Sequence, residues 1–307
     1  MIGGPARFVA SVPERRIALL VNPHAGGGRA GRLLPGAEAA LRALALEFRV
    51  ERTASLAHAR ELATAAADAG ETVVTLSGDG LIGCVAGVVH EHPEGVLGVL
   101  PGGRGNDFCR VLGIPLDDIA AACRVLATGV ERRLDVGRVD GRAFIGIASL
   151  GFDSEANRLA NEAPSRLGNL VYLYAALRAL AGWRPARFEL ELDGGERRTY
   201  VGYSVGACNS KAYGGGMYAA PGAELDDGEL DVVVVESMAK LRFLTSVLPR
   251  LFKGTHVELP EVHVMRTSRL RVDTDRPFDV YADGDPIGCT PANIEVLPAA
   301  IRVLCPA

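Results

Sequence analysis

The stretch Thr72–Gly83, TVVTLSGDGLIG, leaves the chain few folds to choose from. Its β-branched apolar run reads as a buried strand that stops at Ser77-Gly78-Asp79-Gly80, after which Leu81–Val89 suits a helix. A strand that enters a glycine turn and leaves as a helix presents unpaired backbone N–H groups to an anion. Gly78 and Gly80 let a ligand come close because neither carries a Cβ. Asp79 is a carboxylate in a loop shaped for phosphate, an arrangement that suits a bridging Mg²⁺ or a contact to a sugar hydroxyl. Gly-Asp-Gly also suits an ordinary turn, so four residues alone leave both readings open.

The same design recurs twice. Arg16–Val21 (RIALLV) reads as a strand running into Asn22-Pro23-His24-Ala25-Gly26-Gly27-Gly28, with Arg29 and Arg32 following within reach of a phosphate. Val96–Leu100 reads as a strand running into Pro101-Gly102-Gly103-Arg104-Gly105-Asn106-Asp107-Phe108. Here Arg104 is a fixed positive charge, and Asn106 or Asp107 suits a helix cap. Between these loops, Leu33–Leu46 reads as a helix and Glu47–Arg52 as a strand closed by Thr53. Ser55 caps an alanine-rich helix that Gly70 stops. Strands alternating with helices predict a parallel sheet covered on both faces, with ligands beyond the carboxyl ends of the strands. All three glycine loops fall at such ends. Three unrelated turns would not.

After a helix over Asp117–Thr128 the rhythm changes. Arg132–Val139, Ala143–Leu150, Arg187–Leu192 and Thr199–Ala207 read as strands, with Asp193-Gly194-Gly195 as a hairpin turn. Leu230–Val235, Arg269–Val272, Phe278–Ala282, Asn293–Val296 and Ile301–Leu304 continue the pattern. The boundary is placed at Glu131, giving a nucleotide-binding α/β domain over 1–131 and an antiparallel β-rich domain over 132–307 whose last residues can return to the first. Two helices, Arg166–Trp183 and Lys240–Lys253, interrupt the strands; their apolar positions are assigned to the core, with lipid access or a membrane contact as the alternative.

Composition removes several classes. A net charge of −4 argues against a nucleic-acid binder. No apolar run approaches the ~20 residues of a transmembrane helix, and the N-terminus lacks the basic start and apolar core of a signal peptide. Six scattered cysteines show neither zinc nor disulfide spacing and read as reduced, mostly buried thiols, so a cytoplasmic protein is expected. The six histidines show no metal spacing either.

NPxAGxG (Asn22–Gly28), GDG after a strand (Gly78–Gly80) and PxGxxNDF (Pro101–Phe108), in this order, resemble the diacylglycerol kinase catalytic domain family, which includes soluble bacterial lipid kinases and the sphingosine and ceramide kinases. The resemblance extends over nearly the whole chain. It implies an ATP-dependent kinase acting on diacylglycerol or a related lipid alcohol, with a β-sandwich second domain and a cleft between the two. It places ATP against Asn22, Gly26, Thr53, Ser77, Gly78, Asp79, Gly80, Leu81, Gly103, Arg104, Asn106 and Asp107. The chain departs from the family's GGDGTxNE: Ser77 stands at the first Gly, Leu81 at the Thr, Gly83 at the Asn and Cys84 at the Glu, while Arg104 replaces the usual Thr of the third loop. Two phosphate-contacting hydroxyls are therefore missing, and Arg104 is suited to replace one with a charge.

Two acidic clusters remain. PGAELDDGELD (Pro221–Asp231) crowds hard oxygen ligands into a turn, which suits Mg²⁺ or Ca²⁺ as well as a merely solvated turn. The resemblance implies a structural Mg²⁺ there, held by the Asp227 side chain and the carbonyls of Glu224 and Glu229. Asn209 and Gly214–Gly216 match the family's glycine-rich approach to this turn. Asp283-Gly284-Asp285 alone suits a hairpin turn. Phosphoryl transfer to an alcohol needs a carboxylate to accept the hydroxyl proton, and the resemblance puts Asp285 where the family has its proposed Glu base, with Asp283 as the alternative. The expected partner is a lipid presented at a membrane surface to a cytoplasmic or peripheral enzyme, with a homodimer as a further expectation. The rivals are an NAD kinase-type enzyme, disfavoured by PxGxxNDF and DDGxLD, and a non-catalytic nucleotide- or lipid-binding protein.

Overall fold

Four parallel strands begin the fold: β1 (Arg16–Val21), β2 (Glu47–Arg52), β3 (Thr72–Ser77) and β4 (Val96–Pro101). The computed structural model describes residues 15–163 and 171–307. The strand order is β2-β1-β3-β4. β3 and β4 are buried at every residue, as strands covered on both faces must be. The helices are α1 (Ala25–Ala43), α2 (Leu56–Asp68), α3 (Asp79–Val89), α4 (Asp107–Val111) and α5 (Ile119–Thr128). α1 packs with α5 and α2 with α3, so each pair covers one face. The chain reverses its direction of travel across the sheet between β1 and β3, where ligands bind in open sheets of this kind.

α1 starts eight residues before the predicted Leu33, directly in the glycine loop, because Gly26, Gly27 and Gly28 all take positive φ and turn the chain before regular helix begins. α3 likewise begins at Asp79, two residues earlier than predicted. Ser55 caps α2 as expected, its side chain accepting the His58 N–H at 3.1 Å.

The β-rich part follows as β5 (Val130–Val139), β6 (Arg142–Phe144), β7 (Ile147–Gly151), helices α6 (Phe152–Glu162) and α7 (Val171–Gly182), then β8 (Ala186–Leu192) and β9 (Arg198–Cys208). A small hairpin, β10 (Ala212–Tyr213) and β11 (Met217–Tyr218), precedes β12 (Leu230–Glu236). β13 (Val262–Thr267), β14 (Arg269–Thr274), β15 (Asp279–Ala282), β16 (Asp285–Cys289) and β17 (Ala292–Cys305) complete it. The fold is thus an α/β N-terminal domain joined to a C-terminal β-sandwich.

Several expectations are corrected here. Ala143–Leu150 is two strands, β6 and β7, parted where Ile145 and Gly146 turn their N–H groups to Asp283. The two short terminal strands are one, β17, whose pairing with β5 shifts register between Leu297 and Ile301. α6, β13 and β16 were not anticipated. The first lies in FDSEANRLANE, where four charged residues obscure the apolar stripe. The predicted Arg166–Trp183 helix is described only over α7, and residues 166–170 lie outside the described residues. The predicted Lys240–Lys253 helix ends at Leu251 and is interrupted by a π-helical stretch, Phe243–Val247.

β17 joins the two halves. Its start pairs antiparallel with β14, its length pairs with β5, and Arg302 and Val303 pair parallel with Val96 and Leu97 of β4. Ile301, Val303, Leu304 and Cys305 consequently pack in the N-terminal core.

Candidate active site

The three glycine loops meet because backbone touches backbone. A Cβ on Gly26 would lie 2.7 Å from the Gly102 carbonyl oxygen, and one on Gly103 would collide with the Gly78 Cα. Any side chain at these contacts would push the loops apart. The Gly102 N–H donates to the Ser77 carbonyl at 2.8 Å. Arg29 donates to the carbonyls of Gly103 and Leu116, so it ties the first loop to the third; Arg32 donates to the Gly27 carbonyl. Both guanidiniums thus hold backbone carbonyls of the loops.

The remaining expected nucleotide residues divide into scaffold and exposed groups. Asn22 Oδ1 accepts the His24 N–H, and Thr53 donates from its hydroxyl to the Val21 carbonyl. Asn106 takes positive φ and folds onto its own loop, accepting the Gly103 N–H at 2.7 Å and donating to the Gly103 carbonyl. Ser77 is buried, and the Leu81 side chain lies in the core, leaving only its backbone at the N-terminal turn of α3. Gly80 lies beside Asp285, since a Cβ there would be 3.3 Å from Oδ2. Arg104 is the exposed residue of the third loop.

Three carboxylates face a cleft between the domains: Asp79, Asp107 and Asp283. Asp79 Oδ1 accepts the Phe108 N–H at 3.0 Å. Asp107 does not cap its helix; its two oxygens accept the N–H groups of Gly215 and Gly216, each at 2.7 Å, which clamps the third loop to the β10–β11 hairpin. Burial pushes its carboxyl up to about 6, the Asp79 charge adds to this, and the two glycine N–H groups oppose it. Asp283 is held in the same manner by the N–H groups of Ile145 and Gly146, both at 2.9 Å, with its carboxyl also raised to about 6 by burial. Asp285 makes no such bonds among the described residues. Burial raises its carboxyl and Arg142 opposes the rise.

The departures from the family pattern acquire a reason here. A Cβ on Gly83 would lie 2.5 Å from Asp283 Oδ2, so the Asn usual at this position has no room. Cys84, in the place of the Glu, sits near enough to Asp285 and Arg60 for both charges to act on its thiol, which burial raises.

Beyond the cleft, past Gly105, Ile147, Asn157, Tyr213 and Gly214–Gly215, which line both spaces, opens a chamber of about 420 Å³. Its walls are largely apolar, from Phe152, Val233, Val235, Phe243 and Leu251, and Arg104 stands on its boundary. Asp153 and His256 are among the polar residues that interrupt them. Burial lifts the Asp153 carboxyl to about 6 against a hydrogen bond from Ser204. His256 Nε2 bonds the Ala219 carbonyl at 3.0 Å, which leaves its buried Nδ1 without a partner among the described residues. The chamber takes residues from segments 150 positions apart, including the two helical segments whose alternative reading was lipid access.

The acidic turn lies elsewhere. Asp227, the one side chain of the expected ion site, pairs with Arg266 and accepts the Glu229 N–H; Glu229 also pairs with Arg266 and Glu224 with Lys211. A guanidinium thus stands at the charge position a divalent ion would take. Asp135, buried and not anticipated, accepts N–H bonds from Gly228 and Ala299 and so ties the turn to β17. A carboxylate inside the apolar run LDVGRV was the available signal. Among the described residues, no three His, Cys, Asp or Glu side chains are grouped to hold a metal.

Residues 16–139 match the diacylglycerol kinase catalytic domain, and residues 146–305 match the YegS C-terminal NAD kinase beta sandwich-like domain. A diacylglycerol kinase of Mycobacterium tuberculosis (strain H37Rv) is 35% identical over 298 residues, covering 95% of each chain. One from Bacillus subtilis (strain 168) is 31% identical over 245 residues, covering 77% of this chain and 78% of its own. Among solved structures, a diacylglycerol kinase from Bacillus anthracis superposes with a TM-score of 0.74 at 21% identity, covering 95% of this chain and 97% of its own. An NAD kinase from Archaeoglobus fulgidus in complex with ATP shares the fold at a TM-score of 0.51 and 14% identity, covering 94% and 93%.

Proposed function

Because the chain belongs to the diacylglycerol kinase family, we propose that it transfers the γ-phosphate of ATP to the hydroxyl of diacylglycerol or a related lipid alcohol. The observation that carries this reading is the continuity between the carboxylate-lined cleft and the apolar chamber. A phosphate donor on the glycine loops and an acyl chain in the chamber would bring a lipid hydroxyl to the carboxylates.

In this reading the loop N–H groups and the N-terminus of α3 receive the phosphates, and Arg104 adds a charge. Asp79 fits a Mg²⁺ shared with substrate phosphates, since one of its oxygens takes the Phe108 N–H and the other is left for an ion. Such an ion would neutralise charge on the phosphate oxygens. The lipid oxygen bonds to the γ-phosphorus as the bond to the β-phosphate oxygen breaks, and the hydroxyl proton goes to Asp285. Asp285 is preferred over Asp283 because the oxygens of Asp283 are already engaged by two backbone N–H groups. An apolar acceptor chamber speaks against NAD as the acceptor. The test is ATP turnover measured against diacylglycerol, ceramide, sphingosine, other lipid alcohols and NAD. Turnover with a lipid alcohol is expected; turnover with NAD alone, or with nothing, overturns the proposal.

A further inference from the structure

Cleft and chamber meet at a passage with few polar side chains. Of the described residues that line both spaces, Gly105, Ile147, Gly214 and Gly215 offer no polar side-chain atom; only Asn157 and Tyr213 do. Neither of these two makes a side-chain hydrogen bond among the described residues. Tyr213 ends β10, and its hairpin is fixed to the phosphate end. Asp107 holds the Gly215 and Gly216 N–H groups, each at 2.7 Å, and a Cβ on Gly105 would lie 3.2 Å from the Gly215 Cα. Asn157 sits instead on α6, outside this clamp. Burial pushes the Tyr213 phenol far up and the Asp153 charge adds to this, so the group stays an O–H donor. A hydroxyl withdrawn from water without a partner carries a cost that an acceptor on a ligand removes.

We propose that the Tyr213 hydroxyl donates to the carbonyl of the ester or amide that joins the acceptor alcohol to its acyl chain, and so selects acyl-linked lipid alcohols. This rests on the lipid-kinase reading for what occupies the passage. The chemistry follows from the order of the spaces. With the reacting hydroxyl at the carboxylates and the acyl chain in the chamber, the group that joins them has to cross the passage. In an acylated alcohol that group holds a carbonyl oxygen, which only accepts hydrogen bonds, and Tyr213 has the O–H to give it. An apolar side chain at 213 would leave that oxygen desolvated and unpaired. An ether-linked chain brings no carbonyl, so the phenol remains without a partner.

ATP-dependent turnover of dioctanoylglycerol and of its dioctyl ether, each in the same detergent micelles, tests it. The ether keeps the hydroxyl and the chains but lacks both carbonyls. Wild type is expected to favour the ester in kcat/KM by about tenfold or more, because the ether leaves the phenol unpaired. Tyr213→Phe keeps the ring and its packing. It should lower kcat/KM for the ester by roughly tenfold and leave the ether unchanged, which brings the ratio towards one. A merely structural role for Tyr213 would lower both substrates alike. Three results overturn the proposal: equal turnover of ester and ether by wild type, an equal loss on both in Tyr213→Phe, or an ester preference that survives in Tyr213→Phe. If neither lipid is phosphorylated, the kinase reading falls. Calorimetric binding of the same two lipids to wild type and Tyr213→Phe then decides the role of Tyr213 by the same ratio.

Discussion

The two ends of the cleft are built on opposite plans. At the phosphate end, glycine backbone packs on glycine backbone, and the polar side chains of Asn106, Asp107 and Asp283 are spent on neighbouring N–H groups. At the chamber end, apolar side chains from β7, β9, β12, α6, α7 and residues 243–252 form most of the wall. The first end holds its shape through backbone contacts and hydrogen bonds to backbone N–H groups, so it can present a fixed set of donors to a charged group that varies little. The second holds its shape only by tertiary packing, so its form can be altered one side chain at a time. Recognition of the invariant part of a reaction and selection of the variable part are thereby separated in structure.

That separation is broken most severely at Asp79. Asp79→Asn keeps an oxygen for the Phe108 N–H while removing the charge, so turnover is expected to vanish with the fold intact. Wild-type turnover in this variant, with an unchanged melting temperature, would remove Asp79 from the mechanism. Next come Asp285, which lies beside Gly80, and Asp283, which lines the cleft. Asp285→Asn should lower lipid phosphorylation by on the order of 10²–10⁴ with little change in ATP affinity. Asp283→Asn should mainly cost stability, because one of two buried N–H groups loses its acceptor, a penalty of about 1–3 kcal/mol. If Asp283→Asn loses turnover while Asp285→Asn keeps it, the two roles are exchanged.

The same contrast decides what the sequence alone could reveal. The parallel sheet, the three loops and Asp79 were legible because each rests on a pattern within ten residues: a β-branched run, a glycine turn, a helix start. The roles inside the loops were less so. Asp107 looked like a helix cap or a phosphate neighbour, yet its partners are Gly215 and Gly216, more than a hundred residues away. Arg29 and Arg32 looked like phosphate ligands, and each also donates to a backbone carbonyl of the glycine loops. Glycine at 83 looked like a lost side chain; the carboxylate of Asp283 fills its place. The chamber left little local trace: Val233 read as strand, and the Lys240–Lys253 helix that holds Phe243 read as core, with lipid access only as the alternative.

Arg104 stands between the two ends and sharpens the comparison. If it serves the phosphate end, Arg104→Ala should weaken ATP binding roughly tenfold or more, the scale of one charge-assisted contact, and AMP binding less. Equal losses for both nucleotides would assign Arg104 to the chamber side, whose boundary it shares.

Asp107 allows a test by pH. Its folded carboxyl titrates near 6, above the ordinary aspartate range near 4, so the folded state binds its proton more tightly than the unfolded chain does. Folding is therefore favoured by this group at low pH, and its contribution falls as pH rises from about 4 to about 6, then stays level. Asp283 acts with the same sign over the same window. Melting temperatures of wild type across that window should carry this downward component, and Asp107→Asn should remove part of it. An Asp107→Asn profile parallel to wild type would show that the interdomain clamp does not titrate there.

The smallest effect belongs to the acidic turn, which lies outside both ends. We propose that a structural divalent ion at Glu224, Asp227 and Glu229 competes with Arg266 for the Asp227 carboxylate. The competition has a definite direction: a guanidinium already pairs with the only side-chain ligand, so wild type should gain little thermal stability from added Mg²⁺. Arg266→Ala frees the carboxylate and removes a repelling cation, so its melting temperature should start lower and rise more steeply with Mg²⁺. The pair is half exposed and worth about 0.2–1 kcal/mol, so the starting loss should be about 1–3 °C. Asp227→Ala removes both partners' target and should show the same small loss with no Mg²⁺ response. A flat Mg²⁺ response in Arg266→Ala would mean that the carbonyls of Glu224 and Glu229 do not face a common point with Asp227. The turn would then be held by Asp135, through the Gly228 N–H, and by Arg266, with no ion at all.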